Sequence, residues 1–275
     1  MGRIRNHLLG GNEVMYDADH RLLDKLEQIT PDLGCAVRDR EMFIERAARW
    51  AVKTFRCNLL VLGAEVPVGE PLHRRVAPPE YAWDELHAVY VEDRELLLAK
   101  AHAWIADGDS VRIVSMPRRV PDHHDVSRLF RDHLPLSVVI PGLLDTMTSD
   151  DARTLLDHVR SLDEGHGVCV VATHACDPGT PAGTSLAQQI QDEVNDAAAG
   201  PVHFRSPDAI AELFTGYTLV GPPGPAQQWF PHGPALTQAT DAQDLIAGIV
   251  AHTWSTPTST GDATSACPHD TEGEQ

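Results

Sequence analysis

Positive charge is scarce in this chain. Its 275 residues carry 22 lysines and arginines against 40 aspartates and glutamates, for a formal net charge of −18. A broad basic surface for nucleic acid is not expected, because phosphates would be repelled. Paired cysteines are lacking too. The five cysteines, at positions 35, 57, 169, 176 and 267, form no CxxC pair and are widely spaced, which argues against a disulfide framework. Cys57 and Cys169 lie in apolar runs and read as buried thiols. No apolar stretch approaches the ~18 residues of a membrane span. The opening segment MGRIRNHLLGGNE has too few apolar residues for a secretory signal. A cytoplasmic protein with no membrane and no nucleic-acid partner is the expectation. Nor is there a P-loop, a Ser-His-Asp arrangement or an internal repeat.

What remains is a substantial apolar fraction, 42%, arranged in three zones. Residues 1–50 read as helical. In DADHRLLDKLEQI, Leu22, Leu23, Leu26 and Ile29 recur at helical spacing and Pro31 ends the run. DREMFIERAARWAVKTF places Met42, Phe43, Ala47 and Trp50 on one face. Residues 51–254 form the main domain, in which apolar strand-like runs alternate with helical stretches as far as about residue 231. The strands are CNLLVLGA, LHAVYVED, SVRIVSM, LSVVIPGLL, GVCVVATHA and YTLVGPP. The first five are short continuous apolar runs, as in strands buried on both faces of a parallel sheet. Between them lie the helical stretches RELLLAKAHAWI and SDDARTLLDHVRSL, the latter with Ser149 or Asp150 as N-cap. SPDAIAELFTGY opens on Ser206 with Pro207 at the first helical position. The tail, residues 255–275, is rich in Ser, Thr, Pro, Gly and Asp and is expected to be disordered.

Alternating strands and helices imply a doubly wound α/β sheet. Ligands of such sheets sit beyond the carboxyl ends of the strands, where the strand order switches. That rule gathers Gly63, Glu92, Met116 and residues 143–145 around one crevice. Glu92 ends the second strand and can accept hydrogen bonds from both hydroxyls of a ribose; its plain alternatives are a solvated strand-end acid or the N-cap neighbour of the next helix. The turn in LLVLGAEVPV has one glycine where a nucleotide-binding turn usually has two or three. Glu65 adds a side chain and a negative charge where a ligand would lie.

These segments together resemble the actinobacterial family of S-adenosylmethionine-dependent methyltransferases formerly called DUF574, from about Arg3 to Pro231. RIRNHLLGGN keeps the family's opening at Arg3, Asn6, Leu8, Leu9, Gly10 and Gly11, while Arg5 and His7 replace aromatic residues. Arg40 and Phe43 match an Asn-Arg-x-Phe segment, with Asp39 in place of the Asn. FRSPDAIAELFTGYTLVGPPGPAQQW keeps Arg205, Ser206, Ile210, Phe214, Gly216, Leu219, Val220 and Trp229. The resemblance implies a Rossmann-like methyltransferase fold, a mostly parallel seven-stranded sheet with a C-terminal antiparallel hairpin, plus N-terminal helices as a cover. It implies S-adenosylmethionine as cofactor, held around Gly10, Gly11, Gly63, Ala64, Glu65, Glu92, Asp93, Met116 and Asp145. A small molecule would accept the methyl group. No catalytic residue and no metal is assigned. His174 and Asp177 are expected to line the acceptor side.

The departures cluster on the cofactor side. An Asp-Ile-Gly-Ser-Gly run is here Val61, Leu62, Gly63, Ala64, Glu65, and an Ala-Asp-Leu-Arg run is Met116, Pro117, Arg118, Arg119. After the fourth strand a Leu-His-Phe becomes Leu144, Asp145, Thr146. Each lost charge-assisted contact is worth about 1.5–3 kcal/mol, so weakened binding is expected, unless Glu65 or Asp145 meets the cofactor's cationic groups instead. Two functions stay open: methyl transfer, or a degenerate methyltransferase-fold protein acting as a binding or regulatory subunit or repurposed for another reaction. Adjacent His123 and His124 are expected in a solvated loop rather than on a metal. The basic runs at 73–75 and 117–119 read as solvent-facing charges.

Overall fold

The structure is a computed structural model. It describes residues 2–63, 65–78, 86–92, 94–105, 110–115, 128–130, 135–163, 165–197, 200–229 and 242–254, except the side chains of residues 96, 97 and 104.

Three helices come first: α1 (Gly2–Leu8), α2 (Asp17–Ile29) and α3 (Leu33–Phe55). The Asp19 carboxylate accepts the Tyr16 backbone N–H at 2.9 Å, which closes the first turn of α2 and places an acid at its positive end. The long α3 runs past residue 50 without interruption and stops where Arg56 adopts a left-handed conformation, φ 50°. Phe43 and Ala47 are fully buried on its sheet-facing side, but Met42 is 41% exposed. The expected four-residue face is thus corrected: Met42 lies one residue from Phe43, about 100° around the helix, and points outward.

The sheet then builds from β1 (Asn58–Leu62), β2 (Ala88–Glu92), β3 (Val111–Ser115), β4 (Leu136–Pro141), β5 (Val168–Ala175), β6 (Thr218–Leu219), β7 (Gly224–Pro225) and β8 (Ile246–His252). Its helices are α4 (Leu72–Val76), α5 (Glu95–Trp104), α6 (Ser149–Ser161), α7 (Pro181–Asp196) and α8 (Pro207–Leu213). The strand order is β3-β2-β1-β4-β5-β8-β6, with β7 also paired to β8. Neighbours among β1–β5 run parallel, and β8 is antiparallel to β5, β6 and β7. Two-residue β6 and β7 pair with opposite ends of β8, so they act as one interrupted outer strand. The expected mostly parallel sheet with an antiparallel close is found, with eight strands in place of seven because the outer strand is split into β6 and β7. The closing strand β8, however, was not among the six strands read from the sequence.

Strand periodicity sorts the core. Leu60, Leu62, Val89, Val91, Val138 and Ile140 face α6 and α8. Their neighbours Leu59, Val61, Tyr90, Val139 and Val171 face α3. A Cβ on Gly248 of β8 would stand 2.6 Å from the Phe43 ring, so that glycine lets α3 lie directly on the backbone. A third cluster joins Ile4, Leu22, Leu23 and Leu26 to Ala187, Ile190 and Val194 of α7, docking the first two helices beside the sheet. Strands β1, β2 and β5 are buried throughout, whereas the edge strand β3 has exposed Arg112 and Ser115. Thr148, not Ser149 or Asp150, caps α6, accepting the Asp151 N–H at 3.2 Å. Ser206 caps α8 as expected.

Candidate functional site at the carboxyl ends of the strands

The order of the sheet reverses between β1 and β4, which lie side by side although β2 and β3 intervene in sequence. Their carboxyl ends each turn on a glycine with positive φ: Gly63 at 72° and Gly142 at 66°. Such angles strain any residue with a Cβ. At Gly142 the second constraint is space. A Cβ there would lie 2.7 Å from Arg40 Nη2 and 3.2 Å from Asp145 Oδ2. The Gly63 N–H donates to Val91 O at 3.0 Å, tying the β1 turn to β2.

Glu65 does not lie free above this turn. Arg5 Nε approaches its carboxylate at 2.9 Å and Arg40 Nη2 at 3.2 Å. Arg5 also pairs with Glu41 at 2.7 Å and donates to Val66 O at 3.4 Å. Arg40 Nε donates to Thr173 Oγ1 at 3.2 Å. One carboxylate thus links α1, α3 and the β1 turn. Burial opposes its charge, but the Arg40 and Arg5 guanidiniums outweigh it and hold the Glu65 carboxyl below its ordinary value.

Glu92 ends β2 with its side chain 1% exposed. Its Oε1 accepts Arg94 Nε at 2.8 Å and the Arg94 N–H at 2.9 Å, while Oε2 accepts Arg94 Nη2 at 2.9 Å. The expected ribose acid is therefore at a strand end and buried, and both its oxygens meet a guanidinium that is itself 56% exposed. The plain alternative of a solvated acid is corrected, whereas that of a neighbour to the next helix's N-cap is met, Arg94 being the N-cap of α5.

Gly10 and Gly11 close α1. The Gly11 N–H donates to Asn6 O at 2.8 Å, and a Cβ at Gly11 would collide with the Asn6 amide. Asn6 Oδ1 then accepts the Glu13 N–H at 3.0 Å. Glu13 forms an ion pair with Lys100 of α5. The glycines thus route the chain from α1 across to α5. Ala64, Asp93 and Met116 lie outside the described residues, as do Pro117, Arg118, Arg119, His123, His124 and the tail.

Asp145 lies between the end of β5 and the Gly142 turn. Its Oδ1 accepts the Ala175 N–H at 2.9 Å and lies 3.5 Å from His174 Nδ1. Burial raises its carboxyl above the ordinary range, against the pull of His174 and Arg40. Of the two oxygens, Oδ1 is engaged by β5, whereas Oδ2 lies beside Gly142 at the switch point. His174 is 1% exposed. Its Nδ1–H donates to Ala175 O at 2.7 Å, so Nε2 is free to accept from Arg205 Nη1 at 2.5 Å. Burial and the adjacent Arg205 keep the ring neutral, with Asp145 pulling the other way. His174 therefore does not line an acceptor surface. Asp177 accepts the Gly179 N–H and the Thr184 hydroxyl, closing the turn before α7. Within the 73–75 run, His73 is also buried and its backbone N–H donates to the Tyr90 hydroxyl. Arg75 pairs with Glu45.

A cavity of about 400 Å³ lies beside α3, bordered by Leu9, Cys35, Arg38, Asp39, Met42 and Gln243 among others. It touches neither Gly63, Glu92 nor Asp145. The polar groups that converge do so at the switch in strand order, and that is where the chemistry is assigned. Among the described residues no group of three or more His, Cys, Asp or Glu could hold a metal, and no helix is long and apolar enough to cross a membrane. The buried thiols are inert: burial pushes Cys57 up to about 12 and Cys169 well above its ordinary value.

This sheet order, with glycine turns at its switch point and an acid ending β2, defines an α/β methyltransferase-type protein. Over residues 1–253 the chain matches the family described as S-adenosyl methyltransferase, and it belongs to that family. Its fold is similar to a crystal structure from Thermobifida fusca YX, provisionally assigned as a methyltransferase, at TM-score 0.76 and 21% identity, covering 91% of this chain and 93% of that one. It is likewise similar to a DUF574 family protein from Streptomyces avermitilis MA-4680, at TM-score 0.73 and 21% identity, covering 91% and 95%. No curated protein matches the chain.

Proposed function

We propose that this protein transfers a methyl group from S-adenosylmethionine to a small molecule, within a cytoplasmic setting. Family membership supports methyl transfer in general. The observation that carries the reading for this chain is Glu92, a buried carboxylate ending β2 one strand from the switch point. A carboxylate there suits the two hydroxyls of a ribose, and the positive-φ turn at Gly63 suits close approach of a ligand to backbone. Arg5 and Arg40 add cationic groups at the same end of the sheet. The donor set therefore fits a nucleoside bearing an amino acid, provided that Arg94 swings off Glu92. Arg94 is more than half exposed, so solvent can take over its hydrogen bonds.

When bound, the cofactor supplies a methyl group already activated by its sulfonium charge. This chain's residues then have to hold, orient and exclude water. The N-terminal helices, residues 1–50, serve as the cover, and the Glu13–Lys100 pair ties that cover to α5.

The second reading, a binding or regulatory protein without methyl transfer, draws on one observation: Glu92 and Glu65 both already hold guanidiniums. Calorimetric titration with S-adenosylhomocysteine separates the two. Methyl transfer expects measurable binding that weakens by about 10- to 100-fold in Glu92→Ala, as loss of a charged acceptor implies. Absence of heat at millimolar ligand would sink the methyl-transfer reading.

A further inference from the structure

Two guanidiniums from different helices converge on one carboxylate beside the β1 turn. Arg5 comes from α1, Arg40 from α3, and Glu65 from the segment that follows Gly63. The Arg40 guanidinium also packs against Gly142, where a Cβ would be 2.7 Å from Nη2, and reaches the Thr173 hydroxyl at the end of β5. The pair of arginines therefore sits across the ends of β1, β4 and β5, over the switch in strand order, and not on an outer surface. Arg5 and Glu65 side chains are only 10% and 21% exposed, and that of Arg40 14%.

Two arginines with a hydroxyl form a recognition set for a carboxylate. The set remains partnered without Glu65: Arg5 keeps Glu41, and Arg40 keeps Thr173. Without the Glu65 charge Arg40 has no other carboxylate within 4 Å among the described residues, so it is open to one from a ligand. Glu65 is thus an occupant of this set rather than a part of its construction.

We infer that Arg5 and Arg40 form a carboxylate-binding subsite of the cofactor crevice and that Glu65 fills it with the protein's own carboxylate, in the place an amino-acid ligand's carboxylate would take. The inference rests on the cofactor reading above and deepens it. A ligand bearing both nucleoside and amino acid must displace Glu65 or leave its carboxylate unpaired. A ligand lacking the carboxylate meets no such competition. Selectivity for the amino-acid end of the cofactor is thereby muted in the native chain, and the β1 turn acts as an internal competitor.

The test compares S-adenosylhomocysteine with its decarboxylated analogue, which keeps the nucleoside, thioether and amine. Both are titrated calorimetrically into the native protein and into Glu65→Gln, a variant of nearly equal volume. The native protein is expected to bind the two ligands with affinities within about threefold. In Glu65→Gln, S-adenosylhomocysteine is expected to gain about tenfold or more, as a new charge-assisted pair implies, while the decarboxylated analogue stays unchanged. Adding Arg40→Gln to Glu65→Gln should abolish the gain. A native protein that prefers S-adenosylhomocysteine by more than tenfold overturns the inference, and this arm needs no variant to fold. So does a folded Glu65→Gln whose preference does not change. Binding of neither ligand to either protein at millimolar concentration overturns the cofactor reading, and this inference with it.

Discussion

Two ionic networks stand a few residues apart at the same end of the sheet, and they are built differently. The first joins Arg5, Glu41, Arg40 and Glu65 through side-chain pairs, with one link to Val66 O. The second joins Arg205, His174 and Asp145. Here Arg205 donates to Leu144 O at 3.3 Å, to Met147 O at 2.7 Å, to Ser149 Oγ at 3.3 Å and to His174 Nε2. His174 and Asp145 in turn satisfy the carbonyl and the N–H of Ala175. A network bonded to backbone has no alternative partner once a member is lost. A network of side chains can exchange one carboxylate for another. The comparison teaches which charges are structural and which are available to a ligand, a distinction that charge alone does not carry.

The largest effect is expected from breaking the backbone-bonded network. Arg205→Leu would strand the Met147 carbonyl and the His174 ring together and leave the Leu144 carbonyl only the Met147 N–H. Removing one member of a buried charged network costs about 3–5 kcal/mol. Chemical denaturation should show a loss of that order, whereas Arg5→Leu, whose partners Glu41 and Glu65 can turn toward water, should lose less. Equal losses would erase the distinction drawn between the two.

Gly142→Ala strikes the point where the networks adjoin. Its left-handed φ alone costs on the order of 1–2 kcal/mol, and the added methyl also pushes Arg40 off the β4 turn. Stability should fall by about 2 kcal/mol in a denaturant titration. Gly69→Ala, with positive φ but nothing within 4 Å, should show only the conformational part. The difference between these two variants measures how firmly Arg40 is held.

How much of this was legible beforehand depended on whether the signal was local. The buried strands β1, β2 and β5 showed as unbroken apolar runs, and the cap at Ser206 followed from the Ser-Pro pair. Glu92 could be placed at its strand end by counting along an apolar run. The outer face of Met42 was misjudged because one residue's difference on a helix is a large angle. Strand β8 mixes Ala247, Gly248 and Ala251 with its branched residues and follows a stretch with no clear pattern. Its strand character comes from being sandwiched between β5 and the β6–β7 pair. Glu65 was singled out, but as an obstacle, because its two arginine partners lie 60 and 25 positions away in sequence and only packing of α1 and α3 brings them near. His174 seemed suited to an acceptor surface, since sequence shows residue type and not whether a side chain is sealed beneath a helix cap. Gly142 carried the one missed signal that was readable: a glycine directly after a buried strand, at the switch point of a parallel sheet.

Acidity should separate the two networks with the smallest effect of the three. His174 is held neutral, its folded pKa below the ordinary value through burial, with Arg205 and His203 reinforcing and Asp145 opposing. The unfolded chain therefore takes up a proton at about pH 6.5 that the folded chain does not. Stability is lost from that network as pH falls below about 6.5. Asp145 has a raised folded pKa, so its burial penalty is relieved as pH falls, which partly offsets the loss. Glu65 has a depressed folded pKa, so its contribution is intact above about pH 4.3 and is lost only as pH drops further through the folded value. Acidification should thus unfasten the backbone-bonded network first and the cover's tether second. Because His252 is also held below its ordinary value, the native slope between pH 7 and 5 contains both histidines. His174→Gln, measured by denaturant titration across that range, should flatten the slope without moving the fall below pH 4.3, whereas Glu65→Gln should do the reverse. A His174→Gln profile parallel to the native one throughout would mean that His252 alone sets the upper window and that His174 is no part of the acid response.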